Sequence, residues 1–283
     1  MERELDFALS LEDGKRFRVN AYHQKGRMAA SLRAIPTRIP EADKLGLPET
    51  VVRLGEQPHG LLLIVGPTGS GKSTTLACLI DRINNSRACR IITVEDPIEY
   101  VHEGKKATID QREVFADTPT FATALRNILR QDPDVILVGE LRDLETISAA
   151  ITAAETGHLV LATLHTNDAV QAVDRVIDVF PPSQQSQIRS QLAASLVGVV
   201  SQRLLQRADG QGLVAAFEVM LANAAIRTLI RENKMHQAQS AIETRRSEGM
   251  FTLDHSLGQL FSKGVITREE SLRYARNQNI LDP

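Results

Sequence analysis

The chain has 283 residues, with 33 Lys+Arg against 35 Asp+Glu and a formal net charge of −2. Its hydrophobic fraction of 42% and charged fraction of 24% are those of an ordinary globular protein, which excludes an extensively disordered, collagen-like or disulfide-scaffold chain. The balanced charge argues against a bulk basic nucleic-acid binder, although not against a local basic patch. At about 150 residues per domain, the length suggests one large domain, or one large and one small.

The N-terminus, MERELDF, is charged and has no apolar core, so no secretory signal is expected. Residues 1–36 read as short strands, with Arg16–Asn20 and Ser31–Ile35 alternating polar and apolar and Asp13-Gly14 as a hairpin turn. Pro36, Pro40, Gly46 and Pro48 mark a linker over 37–50. From 51 to about 220 the pattern becomes apolar strands alternating with amphipathic helices. Strands are expected at Leu61–Val65, Arg90–Val94, Val135–Val138, Leu159–Thr163 and Leu213–Val219. Helices are expected at about 72–84, 120–130, 143–155, 168–178, 183–200 and 222–232. Strands apolar on both faces and separated by helices describe an α/β fold with a parallel-rich sheet flanked by helices. Residues 221–283 read as a more polar helical region, broken at Gly249 and Gly264. The apolar runs are strand-sized, far short of the roughly 20 residues of a membrane helix. The two cysteines, Cys78 and Cys89, have no metal-type spacing, so a reducing compartment fits best.

Four segments carry chemistry. Gly66-Pro67-Thr68-Gly69-Ser70-Gly71-Lys72-Ser73 fits G-x-x-x-x-G-K-[ST], follows an apolar strand and opens a helix that continues with Thr74. The glycines let backbone N–H groups turn around an anion, the helix N-terminus adds positive potential, and Lys72 and the Ser73 hydroxyl suit phosphate and Mg²⁺. The pattern arises by chance roughly once per hundred chains of this length, so nucleotide binding follows. Gln131–Glu140 is a buried strand ending in Gly139 and Glu140, where a carboxylate could activate water beside the phosphates. Ile91–Glu99 ends in Glu95, Asp96 and Glu99; beside a polyphosphate these acids repel unless a divalent cation lies between, and otherwise they are a solvated acidic turn. Gly157–Asn167 is a strand with His158 and His165 at its ends; His165 is either an ordinary loop histidine or a sensor of the γ-phosphate.

In order and spacing these segments resemble the Walker A, Asp box, Walker B and His box of the secretion ATPases, the RecA-like motors of type II secretion and type IV pili. Within them the chain is similar to the PilT-type retraction ATPases. Ala225-Ile226-Arg227-Thr228-Leu229-Ile230-Arg231-Glu232 resembles their AIRNLIRE motif, with Thr228 in place of Asn. Arg16–Asn20 and Arg33–Pro36 resemble the end of their PAS-like N-terminal domain, and the tetracysteine zinc insert of the assembly relatives is absent. The resemblance implies a RecA-like P-loop ATPase core, remnant PAS-like strands preceded in relatives by several dozen further residues, and a C-terminal helical region. It implies ATP bound by Gly66–Thr74, hydrolysis supported by Glu140 and Glu99, and γ-phosphate contact by His165. Mg²⁺ would be held by Ser73, Glu95 and Asp96, partly through water. Arg18 and Arg33 would reach a neighbouring subunit's nucleotide, and Ala225, Ile226, Arg227, Leu229, Ile230, Arg231 and Glu232 would couple hydrolysis to movement. The implied partners are other copies in a homo-hexamer, an inner-membrane platform protein and a paralogous retraction ATPase, with no nucleic acid. The implied place is cytoplasmic, at the inner membrane beneath the pilus. A PilU-like accessory ATPase, a RecA-like nucleic-acid motor and a non-catalytic nucleotide-gated module are the other readings.

Overall fold

The computed structural model describes residues 4–12, 15–36 and 38–277; the expected Asp13-Gly14 turn lies outside them. Three strands, β1 (Glu4–Ser10), β2 (Arg16–Gln24) and β3 (Arg27–Ile35), form an antiparallel sheet in the order β1-β2-β3. The connection that follows contains one short turn of helix, α1 (Ala42–Leu45), where the sequence pattern suggests plain linker. Its Gly46 takes a left-handed φ of 63° and closes the turn.

Helix α2 (Glu49–Gly55) leads into the main layer. There β4 (Gly60–Val65), β5 (Arg90–Glu95), β6 (Thr108–Glu113), β7 (Val135–Val138), β8 (Leu159–Leu164), β9 (Leu196–Gln206) and β10 (Leu213–Leu221) pair in the order β10-β9-β4-β8-β7-β5-β6. Every pairing is parallel except β9 with β10. Successive residues of each central strand enter opposite cores. On one face Leu61, Leu63, Val94, Val138 and Ala162 pack against α4 (Phe121–Ile128), α5 (Leu144–Glu155), α6 (Ala169–Asp178) and α7 (Pro182–Ser195). On the other, Leu62, Ile64, Leu137 and Leu161 pack against α2 and α3 (Lys72–Ser86). Two buried faces explain why these strands are uninterrupted apolar runs.

Beyond α1 and α2, which the sequence pattern does not announce, two more elements depart from the sequence expectation. The helix expected over 183–200 ends at Ser195, and Leu196 begins the eleven-residue strand β9. Strand β6, Thr-Ile-Asp-Gln-Arg-Glu, has no apolar run to announce it, because it is an edge strand with one neighbour.

Beyond the sheet come α8 (Ala224–Arg231), α9 (Ala238–Thr244), α10 (Leu253–Ser262) and α11 (Arg268–Tyr274). Leu253, Leu257 and Ile266 form a small satellite core with Leu205 and Ala216 of the outer strands. Asn223 caps α8, accepting from the Ile226 N–H at 3.1 Å. Ile226 and Ile230 are fully buried under the sheet, while Arg231 and Glu232 are exposed. Arg227 spans the gap to α7: its guanidinium donates to the carbonyls of Ala193, Ala194, Leu196 and Ala222. A cation on the last carbonyls of α7 satisfies groups that otherwise have no partner and meets the negative end of the helix dipole.

Candidate functional site

The carboxyl ends of β4, β5, β7 and β8 point to one side, and the loops leaving them meet in a cleft of about 480 Å³. The first loop, Gly66–Ser73, turns between β4 and α3. It does so with left-handed φ of 79° at Gly69 and 88° at Gly71, values that L side chains rarely adopt. Gly66 is a glycine for a second reason: a Cβ there would lie 2.3 Å from the Gln202 carbonyl oxygen. Lys72 is buried and donates through Nζ to the Gly66 and Pro67 carbonyls at 2.8 and 3.0 Å. Burial pushes its ammonium below the usual lysine range, while Glu140 and Glu99 pull the other way. Ser70 Oγ is buried with no hydrogen-bond partner among the described residues. A proton donor orphaned inside a glycine loop at a helix N-terminus is suited to an anion's oxygen.

Glu140 leaves β7 through Gly139, whose N–H donates to the Val94 carbonyl at 2.8 Å. A Cβ on Gly139 would press on the Val94 carbonyl at 3.2 Å, so the close approach of the two strand ends favours glycine. The Glu140 carboxylate accepts from Arg142 at 2.7 Å and lies 3.5 Å from His165 Nε2. Burial raises its pKa, but the hydrogen bond and charge of Arg142, with His165, outweigh this and hold the carboxyl below the usual range. His165 Nδ1 sits 3.5 Å from both Lys72 Nζ and Thr68 Oγ1. Nε2 faces the Glu140 carboxylate, and the single Nδ1 lone pair lies within reach of Lys72 and Thr68.

The acidic end of β5 divides into two environments. Asp96 and Glu99 face the cleft beside Ser73. Glu95 is different. Burial pushes its carboxyl well above the usual range, against the hydrogen bonds it accepts from Thr93 at 2.8 Å and Gln111 at 3.1 Å. Glu95 nevertheless lines the cleft with Ser73 and Asp96, so the expected Mg²⁺ set lies together there, with Glu99 as a further oxygen donor. Hard oxygen donors of this kind, few in number and open to water, fit an ion that keeps most of its own hydration.

Arg18 and Arg33 are directly opposite each other in the β2–β3 register and line this same cleft with the glycine loop. Within the single chain they face its own glycine loop. Arg16 of β2 lies 3.7 Å from Glu113 at the end of β6 and ties the small sheet to the main layer. Two like charges facing across a strand pair are destabilising unless an anion lies between them, which again matches a polyphosphate.

Sequence reasoning missed Arg142, Gln202 and Thr163. Gln202, buried on β9, accepts from Thr75 Oγ1 at 2.7 Å and backs the loop at Gly66 and Gly71. Thr163 Oγ1 donates to the Gly139 carbonyl. The alternation Glu140-Leu141-Arg142 around a buried Leu141 could have signalled Arg142; Gln202 gives no signal because it falls between the expected helix over 183–200 and the expected strand at Leu213–Val219. Ala225–Glu232 lies away from the cleft, on α8 and its end. A second cavity of about 700 Å³, lined by Leu204, Val214, Phe217 and Phe251, adjoins the cleft through Gly71, Thr74 and Leu204.

A phosphate-binding loop on a mostly parallel sheet, faced by carboxyl groups and arginines, defines a nucleoside-triphosphate site of the P-loop class. The chain belongs to the Type II/IV secretion system protein family, whose model matches residues 13–248. It is 51% identical over 273 residues to the type IV pilus retractation ATPase PilT of Pseudomonas aeruginosa, covering 96% of this chain and 79% of that protein. The type IV pilus ATPase PilU of the same organism is 42% identical, covering 98% of this chain and 73% of that protein. The crystal structure of the pilus retraction motor PilT with bound ADP superposes with a TM-score of 0.90 at 48% identity, covering 98% of this chain and 78% of that one.

Proposed function

We propose that this chain is the ATP-hydrolysing subunit of a ring motor that powers type IV pilus retraction. The observation that carries the catalytic part is the convergence of Lys72, Glu140, Glu99, His165, Arg18 and Arg33 on one cleft. The loop amides, Ser70 and Lys72 bind the triphosphate, and the adjoining apolar cavity takes the nucleoside. Glu140, held ionised by Arg142, orients and deprotonates the attacking water, with Glu99 beside it. His165 relays contact between the γ-phosphate and Glu140. Arg18 and Arg33 balance charge on the equatorial oxygens, the part of a phosphoryl transfer where negative charge spreads. Ser73, Glu95 and Asp96, with Glu99 beside them, would hold Mg²⁺ partly through water, and the ion would neutralise phosphate charge when bound.

The division at residues 36, 50 and 220 into small sheet, connector, ATPase core and helical tail is part of this reading. So are assembly into a homo-hexamer, contact with a membrane platform protein on the cytoplasmic side, and cooperation with a paralogous ATPase. Among the described residues no helix is long and apolar enough to cross a membrane. The greater identity to PilT than to PilU favours the principal retraction motor over an accessory one. The test is deletion of the gene, scored for surface pili and twitching. Hyperpiliated, non-motile cells are expected; bald cells would assign the chain to pilus assembly instead.

A further inference from the structure

The segment from Asn167 to Ala169 follows His165 after Thr166, whose hydroxyl donates to the Asp168 carbonyl at 3.4 Å, and opens α6. Asp168 caps the helix by accepting from the Gln171 N–H at 2.7 Å, and Asn167 and Ala169 bond to the outer strands. Ser201 of β9 donates to the Asn167 carbonyl at 3.0 Å, and Glu218 of β10 accepts from the Ala169 N–H at 2.9 Å. Glu218 is only 1% exposed, and its second oxygen, Oε2, has no hydrogen-bond partner among the described residues. Asp168 is nearly as buried. Burial pushes the Glu218 carboxyl above the usual range against the pull of Arg276, and a buried carboxylate beside it is met by a cation.

That cation comes from the far end of the chain. Arg276, past the end of α11, places one guanidinium nitrogen 2.7 Å from Asp168 and another 4.0 Å from Glu218. Its own backbone is fixed as well: the N–H groups of Arg276 and Asn277 donate to the Asp254 carboxylate at 2.8 and 3.0 Å. A second contact runs in parallel. Arg203 of β9 donates to the Asn167 side chain at 3.2 Å, and its guanidinium stacks 5.4 Å from the centre of the Tyr274 ring. The C-terminal segment therefore grips both residues that follow the histidine loop, one through an ion pair and one through a stacked arginine.

We infer that Arg276 is a positioning residue for hydrolysis: the C-terminal segment, docked by Asp254, uses its guanidinium to fix Asp168 and so holds His165 between Lys72 and Glu140. The inference rests on the role given to His165 above. Displacing a catalytic group by about 1 Å costs on the order of a hundredfold in rate, so partial loosening of its anchor is expected to lower turnover without weakening the phosphate loop's hold on ATP.

The test compares wild type, Arg276→Gln, Arg276→Lys and His165→Ala as full-length protein, measuring kcat and KM for MgATP and the melting temperature. Arg276→Gln removes the charge and the reach of the guanidinium while keeping a polar, hydrogen-bonding end. A fall in kcat of about tenfold with KM within twofold is expected. Arg276→Lys, which retains a cation within reach of Asp168, is expected to recover kcat to within threefold of wild type. The proposal is overturned if Arg276→Gln keeps wild-type kcat, if it raises KM alone, or if Lys fails to rescue. It is also overturned if Arg276→Gln does not fold, because the residue would then hold the domain and not the loop. Wild-type kcat in His165→Ala would instead overturn the site reading itself, so the two failures are told apart.

Discussion

Replacing Glu140 by Gln separates chemistry from folding in this site. The substitution keeps the shape of the side chain and removes one charge. What the fold loses is the ion pair with Arg142, 2.7 Å long but with the arginine side chain 65% exposed, and a 3.5 Å contact to His165. An ion pair so open to water contributes about 0–1 kcal/mol. For a chain of this size that corresponds to a melting-temperature change of at most about 4 °C. Hydrolysis loses the group that accepts the proton of the attacking water, a term of about 10²–10⁴ in rate, or about 3–5 kcal/mol of barrier. ATP binding, which relies on the loop, Ser70 and Lys72, should stay within a few-fold of wild type. Steady-state phosphate release at saturating MgATP, binding of a fluorescent ATP analogue and a thermal melt measure the three quantities on one preparation. A kcat within tenfold of wild type would refute the assignment of Glu140 as base. A drop in melting temperature of about 10 °C would refute the reasoning that its ion pair is peripheral to stability.

Arg227→Ala removes the bonds to three carbonyls at the α7–β9 junction and to the Ala222 carbonyl after β10, and should destabilise the chain by about 2–4 kcal/mol, lowering the melting temperature by about 5–12 °C. Arg227→Lys should recover little of this, since one ammonium cannot span the four; full recovery would show that charge alone matters. His102 is partly buried, and burial, outweighing attraction to Asp81, depresses its pKa to about 4. The unfolded chain then binds a proton near pH 6.5 that the folded chain refuses. Stability is therefore complete above about pH 6.5 and falls by about 1–3 kcal/mol as pH drops toward 4. Thermal melts of His102→Leu should show a flatter profile across this window, and an unchanged slope would exclude this residue as its source. Because Arg18 and Arg33 face their own chain's loop, mixing Arg33→Ala with Lys72→Ala subunits should not restore ATP turnover. Recovery on mixing would show that the arginine acts between subunits.

The amino-acid sequence by itself determined the central layer and the phosphate loop. Leu61–Val65 and Leu159–Leu164 are buried on both faces, and only a sheet covered on each side demands such runs. The loop's glycines are required by backbone conformation and close approach, so they are visible as a pattern of residue types. Glu140 and His165 could be proposed because each ends an apolar strand. Where α7 stops was not visible, because Leu192–Val200 continues an apolar stretch; Arg227, more than thirty residues away, takes the last carbonyls of the helix as β9 joins β4. The neutral bias of Glu95 depends on Thr93 and on Gln111 from an edge strand with no apolar signature. The turning of Arg18 and Arg33 onto their own loop, and the pairing of Arg276 with Asp168 across 108 residues, depend on how separate elements pack. Local patterns record which face a residue buries; the charge partner it meets there is set by segments distant in the chain, and only the tertiary structure brings them together.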